Sequence, residues 1–318
     1  MNNPLVSICI PTHNRPHFLK QALKSAQKQT YKTIEIIISD NSDNNITQKY
    51  ISTLNDKRIR YYRNVPNLDQ LLNGILPAQR ARGTYIKYLM DDDLLKPNCV
   101  KKMVSVLEQY PKVGVVMAPL DIIDEDGNAT QPMFNIVRRM KYLYKYKNKD
   151  SYVSKEKIMS DFLTSVYPCC VQTGIMYRKS LYRSVNSSEN MFRYIDDVDL
   201  CMRFATKMDF FYINEFLSSW RYTKTSDTIS ILHKKGTEQD VFYRLTNKYI
   251  LYADSQREAY FFASKRTALN ILAGIQSKNI PLIFETLQSI SRNDPYILNK
   301  LYLPFNLLSE VIKSFLSL

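Results

Sequence analysis

Apolar residues in the first third of the chain gather in short β-branched or aromatic runs, at 5–10 (LVSICI), 34–39 (IEIIIS), 58–62 (RIRYY), 84–90 (TYIKYLM) and 113–118 (VGVVMA). Runs of this length, bounded by polar turns, predict strands. Between them, segments 16–29, 44–55, 67–81 and 98–110 carry apolar residues at helical spacing, and Pro16, Pro97 and Pro111 mark helix edges. Strands alternating with helices of this length predict βαβ units, an α/β class and a mostly parallel sheet flanked by helices. From about 120 to 235 the pattern turns mixed, with a turn DEDGN, a basic stretch 138–157, a strand-like GIMYR and an acidic helix start YIDDVDLCMRF. Beyond 236 it reads almost wholly helical, so a C-terminal helical region 236–318 is expected after a boundary near 235.

Ligand groups in such a sheet collect beyond the carboxyl ends of the strands. Three polar stretches fall there: PTHNR after the first strand, SDNSD after the second and MDDD after the fourth. Consecutive strand residues face opposite ways, so Asp91, Asp92 and Asp93 cannot all line one site while the chain stays extended. Gathered carboxylates repel unless a cation offsets them, and hard ions such as Mg2+ or Mn2+ take oxygen ligands, one or two carboxylates plus substrate phosphates. The plainer alternative is an acidic turn in which Asp93 caps the helix that begins near Pro97. Asp40 is placed to accept from the N–H of a base such as uracil, or else to form a cap or Asx-turn. Thr12 and Asn14 can position ribose or phosphate, His13 offers a planar ring and Arg15 a charge-assisted contact, unless the segment is only a polar loop. Asp196, Asp197 and Asp199 open a helix, where the dipole favours negative charge. One of them could instead serve as the general base for a hydroxyl.

Composition narrows the partner. The chain has 318 residues, 44 Lys and Arg against 30 Asp and Glu, and a net charge of +14, which favours an anionic partner. Only 7 Gly argue against a glycine-rich phosphate cradle. Five Cys without C-x-x-C spacing fit a reduced compartment, the vicinal Cys169 and Cys170 reading as packing. His13, His17 and His233 are too scattered for zinc. The N-terminal residues carry no signal-peptide pattern and no run of about 18 apolar residues occurs, so cytoplasmic residence is the expectation.

With these residues in view, the chain resembles the family-2 glycosyltransferases, inverting enzymes of the GT-A fold, of the kind that build bacterial cell-surface polysaccharides. The likeness runs over about residues 4–230 and rests on VSICIPTHNR, IEIIISDNSDNN, NGILPAQRARGTYIKYLMDDDLL, GIMYRKSLY and DDVDLCMRF in that order. It implies a catalytic domain over 1–235, with a nucleotide-sugar half at 1–120 and an acceptor half at 121–235. It implies a nucleotide-sugar donor, first of all a UDP-sugar, contacted by Pro11, Thr12, His13, Asn14, Arg15, Asp40, Asn73, Asp91 and Asp92. It implies Mn2+ or Mg2+ at Asp92 and Asp93, diphosphate or acceptor contacts from Asp196, Arg221 and Lys224, and Asp197 as the base of a single inverting displacement. Three positions depart from the family pattern. Met90 stands where the first Asp of a D-x-D-D turn would be, His13 where an aromatic residue follows Pro-Thr, and Thr223 where many relatives carry His.

The stretch 138–157 interleaves cations and aromatics, a solvated face or, within this family, a surface for a saccharide, lipid-linked or anionic polymer acceptor. The tail YILNKLYLPFNLLSEVIKSFLSL suits three roles: lying on the inner membrane leaflet, packing on the catalytic domain, or forming a homo-oligomer contact. A nucleotidyltransferase would open with a Gly-rich basic loop, which PTHNRP is not. A nucleic-acid-binding module suits the charge, but the strand-end acids would repel phosphates, so no nucleic-acid partner is expected.

Overall fold

The computed structural model describes residues 3–130, 149–164, 172–185, 196–223 and 248–252. The chain divides into two compact units, Met1–Lys155 with Tyr167–Thr223, and Glu156–Val166 with Lys224–Leu318. In chain order the elements of the first unit are β1 (Val6–Thr12), α1 (Pro16–Gln27), β2 (Ile34–Asp40), α2 (Ile46–Ser52), β3 (Ile59–Arg63), α3 (Gln70–Arg80), β4 (Tyr85–Tyr88), β5 (Leu94–Leu95), α4 (Cys99–Gln109), β6 (Val113–Met117), β7 (Leu120–Ile123) and β8 (Ser151–Val153). They continue, after α5 (Lys155–Thr164), with β9 (Ile175–Arg178), α6 (Lys179–Ser184), α7 (Asp196–Ala205), β10 (Asp209–Tyr212) and β11 (Ser218–Arg221). Helix α5 falls almost entirely in the second unit, where Lys157 pairs with Asp161 one turn on at 3.0 Å. The expected C-terminal helices, the tail and residues 138–148 lie outside the described residues.

One sheet of eight strands runs β3-β2-β1-β4-β9-β6-β10-β8. Strands β1 to β4 are mutually parallel, β9 is antiparallel to both β4 and β6, β10 is parallel to β6, and β8 is antiparallel to β10. Six strands therefore point one way, and the α/β, mostly parallel expectation holds. β1 and β2 are buried along their whole length, as strands covered on both faces must be. Helix α1 lays Leu19, Ala22, Leu23 and Ala26 into this core at the i, i+3, i+4, i+7 spacing of one helical face. Each buried Leu contributes about 1.5–3 kcal/mol relative to exposure. At the sheet edge, β3 carries Arg60 and Arg63, charges that discourage pairing with another chain.

A second sheet, β5-β11-β7, forms beside the acid segment. Strand β5 starts directly after Asp93, and β11 pairs with it antiparallel and with β7 in parallel. These strands of two to four residues are too short to show an alternating pattern in the sequence, and none was expected.

Candidate active site

The carboxyl ends of β1, β2 and β3 lie side by side, with Thr12 level with Asp40 and Asp40 with Arg63. On the other flank of β1, the Leu89 N–H donates to the Cys9 carbonyl at 3.0 Å, which brings the end of β4 to the same place. There the chain stops being extended. The Asp93 N–H donates back to the Met90 carbonyl at 3.1 Å, so Asp91, Asp92 and Asp93 form a turn rather than a strand end.

That turn sorts the three acids. Asp91 is buried and accepts the Thr12 hydroxyl at 2.7 Å, and Asp92 accepts Arg15 Nη1 at 3.1 Å. The same Nη1 lies 3.6 Å from Asp91, so two carboxylates share one positive charge. Asp93 points the other way and is fully buried, taking the Thr173 hydroxyl on one oxygen at 2.5 Å and the Arg221 N–H on the other at 2.9 Å. Asp93 does not cap α4, whose N-cap position is Asn98. Burial first, and then the charge of Asp92, pushes the Asp91 carboxyl up to about 7 against the bonds from the Thr12 hydroxyl and the His13 N–H and the positive charge of Arg15. The same two causes raise Asp93 well above the usual carboxylate range.

The loop after β1 is built on β2. Asn14 adopts φ 53°, a left-handed conformation that Asn tolerates. Its side chain and Asp43 clasp each other, Nδ2 donating to Asp43 Oδ2 at 2.6 Å and Oδ1 accepting the Asp43 N–H at 3.1 Å. His13 Nδ1 lies 2.7 Å from the Asn41 carbonyl, which makes this nitrogen the donor and fixes the ring. Asp40 is fully buried, accepting the Ser42 N–H on Oδ1 at 2.9 Å, the Asx-turn, and the Tyr61 hydroxyl on Oδ2 at 2.6 Å. Asn73 reaches in from α3 and donates to the Thr12 carbonyl at 3.2 Å, while its own oxygen accepts from Asn64 at 3.1 Å.

Arg221, expected at a diphosphate, is fully buried. Its guanidinium donates to the carbonyls of Asp92 (2.7 Å), Asp124 (2.8 Å) and Glu125 (2.7 Å) and to Gln21 Oε1 (2.8 Å), with the Phe18 ring 5.0 Å away. Lys224 lies outside the described residues. Asp196 and Asp197 occupy the first turn of α7, described in their backbone only. Asp199, next on that helix, is buried and bound to Arg203 at 2.9 Å.

Pro11, Thr12, His13, Asn14, Arg15, Asp40, Asn73, Asp91, Asp92, Asp93 and Arg221 thus occupy one connected region at one end of the sheet. Sequence reasoning missed Thr173, Tyr61 and Lys87, which hold it. Lys87, fully buried on β4, donates to the Thr173 and Ile175 carbonyls, and burial lowers its basicity. Tyr61 was discoverable, since it stands two residues before Arg63 on the face that carries Asp40. Among the described residues no group of three or more His, Cys, Asp or Glu side chains converges as a metal cluster.

The chain also matches known proteins. Residues 7–185 match the family model Glycosyl transferase family 2. An uncharacterized glycosyltransferase of Methanocaldococcus jannaschii is 28% identical over 241 residues, covering 74% of this chain and 77% of that protein. A Campylobacter jejuni protein named GalNAc(5)-diNAcBac-PP-undecaprenol beta-1,3-glucosyltransferase is 29% identical over 194 residues, 59% of this chain and 56% of its own length. Among solved structures, S. aureus TarS 1–349 in complex with UDP-GlcNAc superposes with a TM-score of 0.65 at 14% identity, over 92% of this chain and 82% of that one. A sheet whose acid turn and first loop meet at one end, and a family match over more than half the chain, lead to one conclusion: the chain belongs to glycosyl transferase family 2 and is a glycosyltransferase of the GT-A fold.

Proposed function

We propose that this transferase moves a sugar from a UDP-linked donor to a hydroxyl of a saccharide, lipid-linked or polymeric cell-surface acceptor, with inversion at the anomeric carbon. One observation carries the reading: Asp40, the β1 loop and the Asp91–Asp92 pair converge at one sheet end, so a base, a ribose and a diphosphate can be met in sequence. UDP is the first donor to try because TarS, of like fold, has been captured with UDP-GlcNAc. A lipid-linked diphosphate acceptor is supported by the name of the Campylobacter relative. The donor half is 1–120 and the acceptor half 121–235.

Asp91 and Asp92 fit a hard divalent ion, Mn2+ or Mg2+, because two carboxylates already converge on one cation and such an ion completes its shell with substrate phosphates. Asp93, whose oxygens are engaged by Thr173 and Arg221, holds the turn in place. When bound, the ion offsets charge growing on the departing diphosphate. Asp197 takes the proton of the acceptor hydroxyl as its oxygen bonds to the anomeric carbon, and the electron pair of the broken C–O bond leaves with the diphosphate. Arg15 serves the diphosphate end, Asp196 and Lys224 serve as contacts for the diphosphate or the acceptor, and His13 serves the base. Cytoplasmic residence on the inner membrane face, with residues 296–318 as a membrane or subunit contact, completes the reading. Among the described residues no helix is long and apolar enough to cross a membrane.

The test is transfer from UDP-sugars by the wild type, Asp197→Asn and Asp92→Asn. Asp197→Asn is expected to lower kcat about 10²–10⁴-fold while UDP still binds, and Asp92→Asn to weaken UDP binding itself. Undiminished transfer by Asp197→Asn would show that the base is another group. Reversing the charges of Lys145, Lys147 and Lys149 tests the acceptor surface, and unchanged acceptor turnover and vesicle binding would remove it.

A further inference from the structure

The turn that carries Asp91 and Asp92 is closed from outside by a residue that precedes β9. Because β9 runs against its neighbours, its amino end lies where the parallel strands end. Thr173 sits there, fully buried in the 3-10 turn Gln172–Gly174. Its hydroxyl oxygen accepts the Met90 N–H at 3.1 Å and donates its proton to Asp93 at 2.5 Å, so it bridges the first and last residues of the turn. Its carbonyl is anchored by the Ser218 hydroxyl at 3.0 Å and by Lys87 Nζ, which ties it to β11 and β4. Opposite, Arg221 binds the Asp92 carbonyl and the second Asp93 oxygen. With Asp93 turned inward, the Asp91 and Asp92 carboxylates are left facing Thr12 and Arg15.

We propose that Thr173 is a positioning residue for the donor: its hydroxyl staples the Met90–Asp93 turn so that Asp91 and Asp92 present their carboxylates to the diphosphate end of the nucleotide. The inference rests on the reading of the acid turn as the diphosphate site. Thr173→Val keeps the shape and removes both bonds, leaving the Met90 N–H and one Asp93 oxygen without that partner. Thr173→Ser keeps the hydroxyl, and Thr173→Ala makes the same deletion should valine not be accommodated.

The experiment titrates UDP with Mn2+ by calorimetry, and uridine by ligand-observed NMR, into the full-length wild type and the three variants well below their melting temperatures. Loss of an outer-shell partner of this kind weakens binding by about 10–100-fold. Thr173→Val, or Thr173→Ala, is expected to weaken UDP to that extent and leave uridine, which meets only the Asp40 end, unchanged. Thr173→Ser is expected to bind UDP as the wild type does. A general structural role would lower the melting temperature and weaken UDP and uridine alike, and that result, or wild-type UDP affinity in both deletions, overturns the inference. A wild type that binds UDP no better than uridine refutes the acid-turn reading itself, and the inference falls with it.

Discussion

Glu35, at the start of β2, gathers three donors at the end of the sheet away from the candidate site. Its carboxylate accepts the Ser7 hydroxyl and the Arg82 N–H, both at 2.6 Å, and Arg60 Nη1 at 2.7 Å. Burial alone would raise its pKa, but these bonds outweigh it and hold the carboxyl below its ordinary range. A group depressed in the folded state stabilises above its unfolded pKa and loses that contribution as pH falls through the folded one. Glu35→Gln should therefore lower stability at pH 7 by about 1–3 kcal/mol, since its amide would face Arg60 donor to donor. It should also flatten the fall in stability below about pH 4.5. Urea unfolding at pH 7 and pH 4 checks both, and parallel pH slopes for the two proteins would refute the assignment. Glu35 lies inside an apolar strand run, where a lone acid gives no hint of its partners. Asp40 and Asp91 to Asp93 were legible because a polar residue directly after an apolar run marks a strand end. Thr173 was hidden, because nothing in GIMYR says which way its strand runs.

Elements follow the same rule at larger size. The five strand runs and four helical segments of the first 118 residues appear within a few residues of their expected bounds, since the runs that mark them in the sequence span five or more positions, enough to show a period. Strands β5, β7, β8, β10 and β11 have two to four residues and owe their pairing to tertiary contacts. Two glycines, one inside α3 and one in the connection from α3 to β4, separate local propensity from packing. A Cβ on Gly83 would lie 2.6 Å from the Leu5 carbonyl oxygen, which accepts the Thr84 N–H where β1 meets β4, and 2.7 Å from the Ser7 backbone nitrogen. A Cβ on Gly74, inside α3, would meet nothing within 4 Å. Gly83→Ala is expected to destabilise by about 1–3 kcal/mol through overpacking. Gly74→Ala is expected to stabilise by about 0.5–1 kcal/mol because the helix loses less backbone entropy on folding. Denaturant midpoints decide it, and a loss in both would mean that α3 is held by contacts other than its own propensity.

For the whole molecule, a net charge of +14 attracts any polyanion, and nucleotide binding alone would not separate the candidate site from the general field. Two properties do separate them. The field is read by diffuse charge and fades with salt, the screening length falling from about 8 Å at 0.15 M to about 3 Å at 1 M. On the proposed reading the site would read the base through Asp40, held by Tyr61 and Ser42, and the diphosphate through carboxylates that oppose phosphate unless a cation is supplied. Selective ligands stabilise by mass action, about 2.7 kcal/mol at a hundredfold excess over Kd. For a chain of this size that is a shift of roughly 5 °C in melting temperature. UDP-sugars with Mn2+ should give such a shift and keep most of it in high salt. The same sugars with chelator should give less, and an adenosine diphosphate sugar should give little under any condition. Equal shifts from uridine and adenosine nucleotides, abolished together by salt, would assign the binding to net charge and leave the convergence of Asp40 with the acid turn without its proposed ligand.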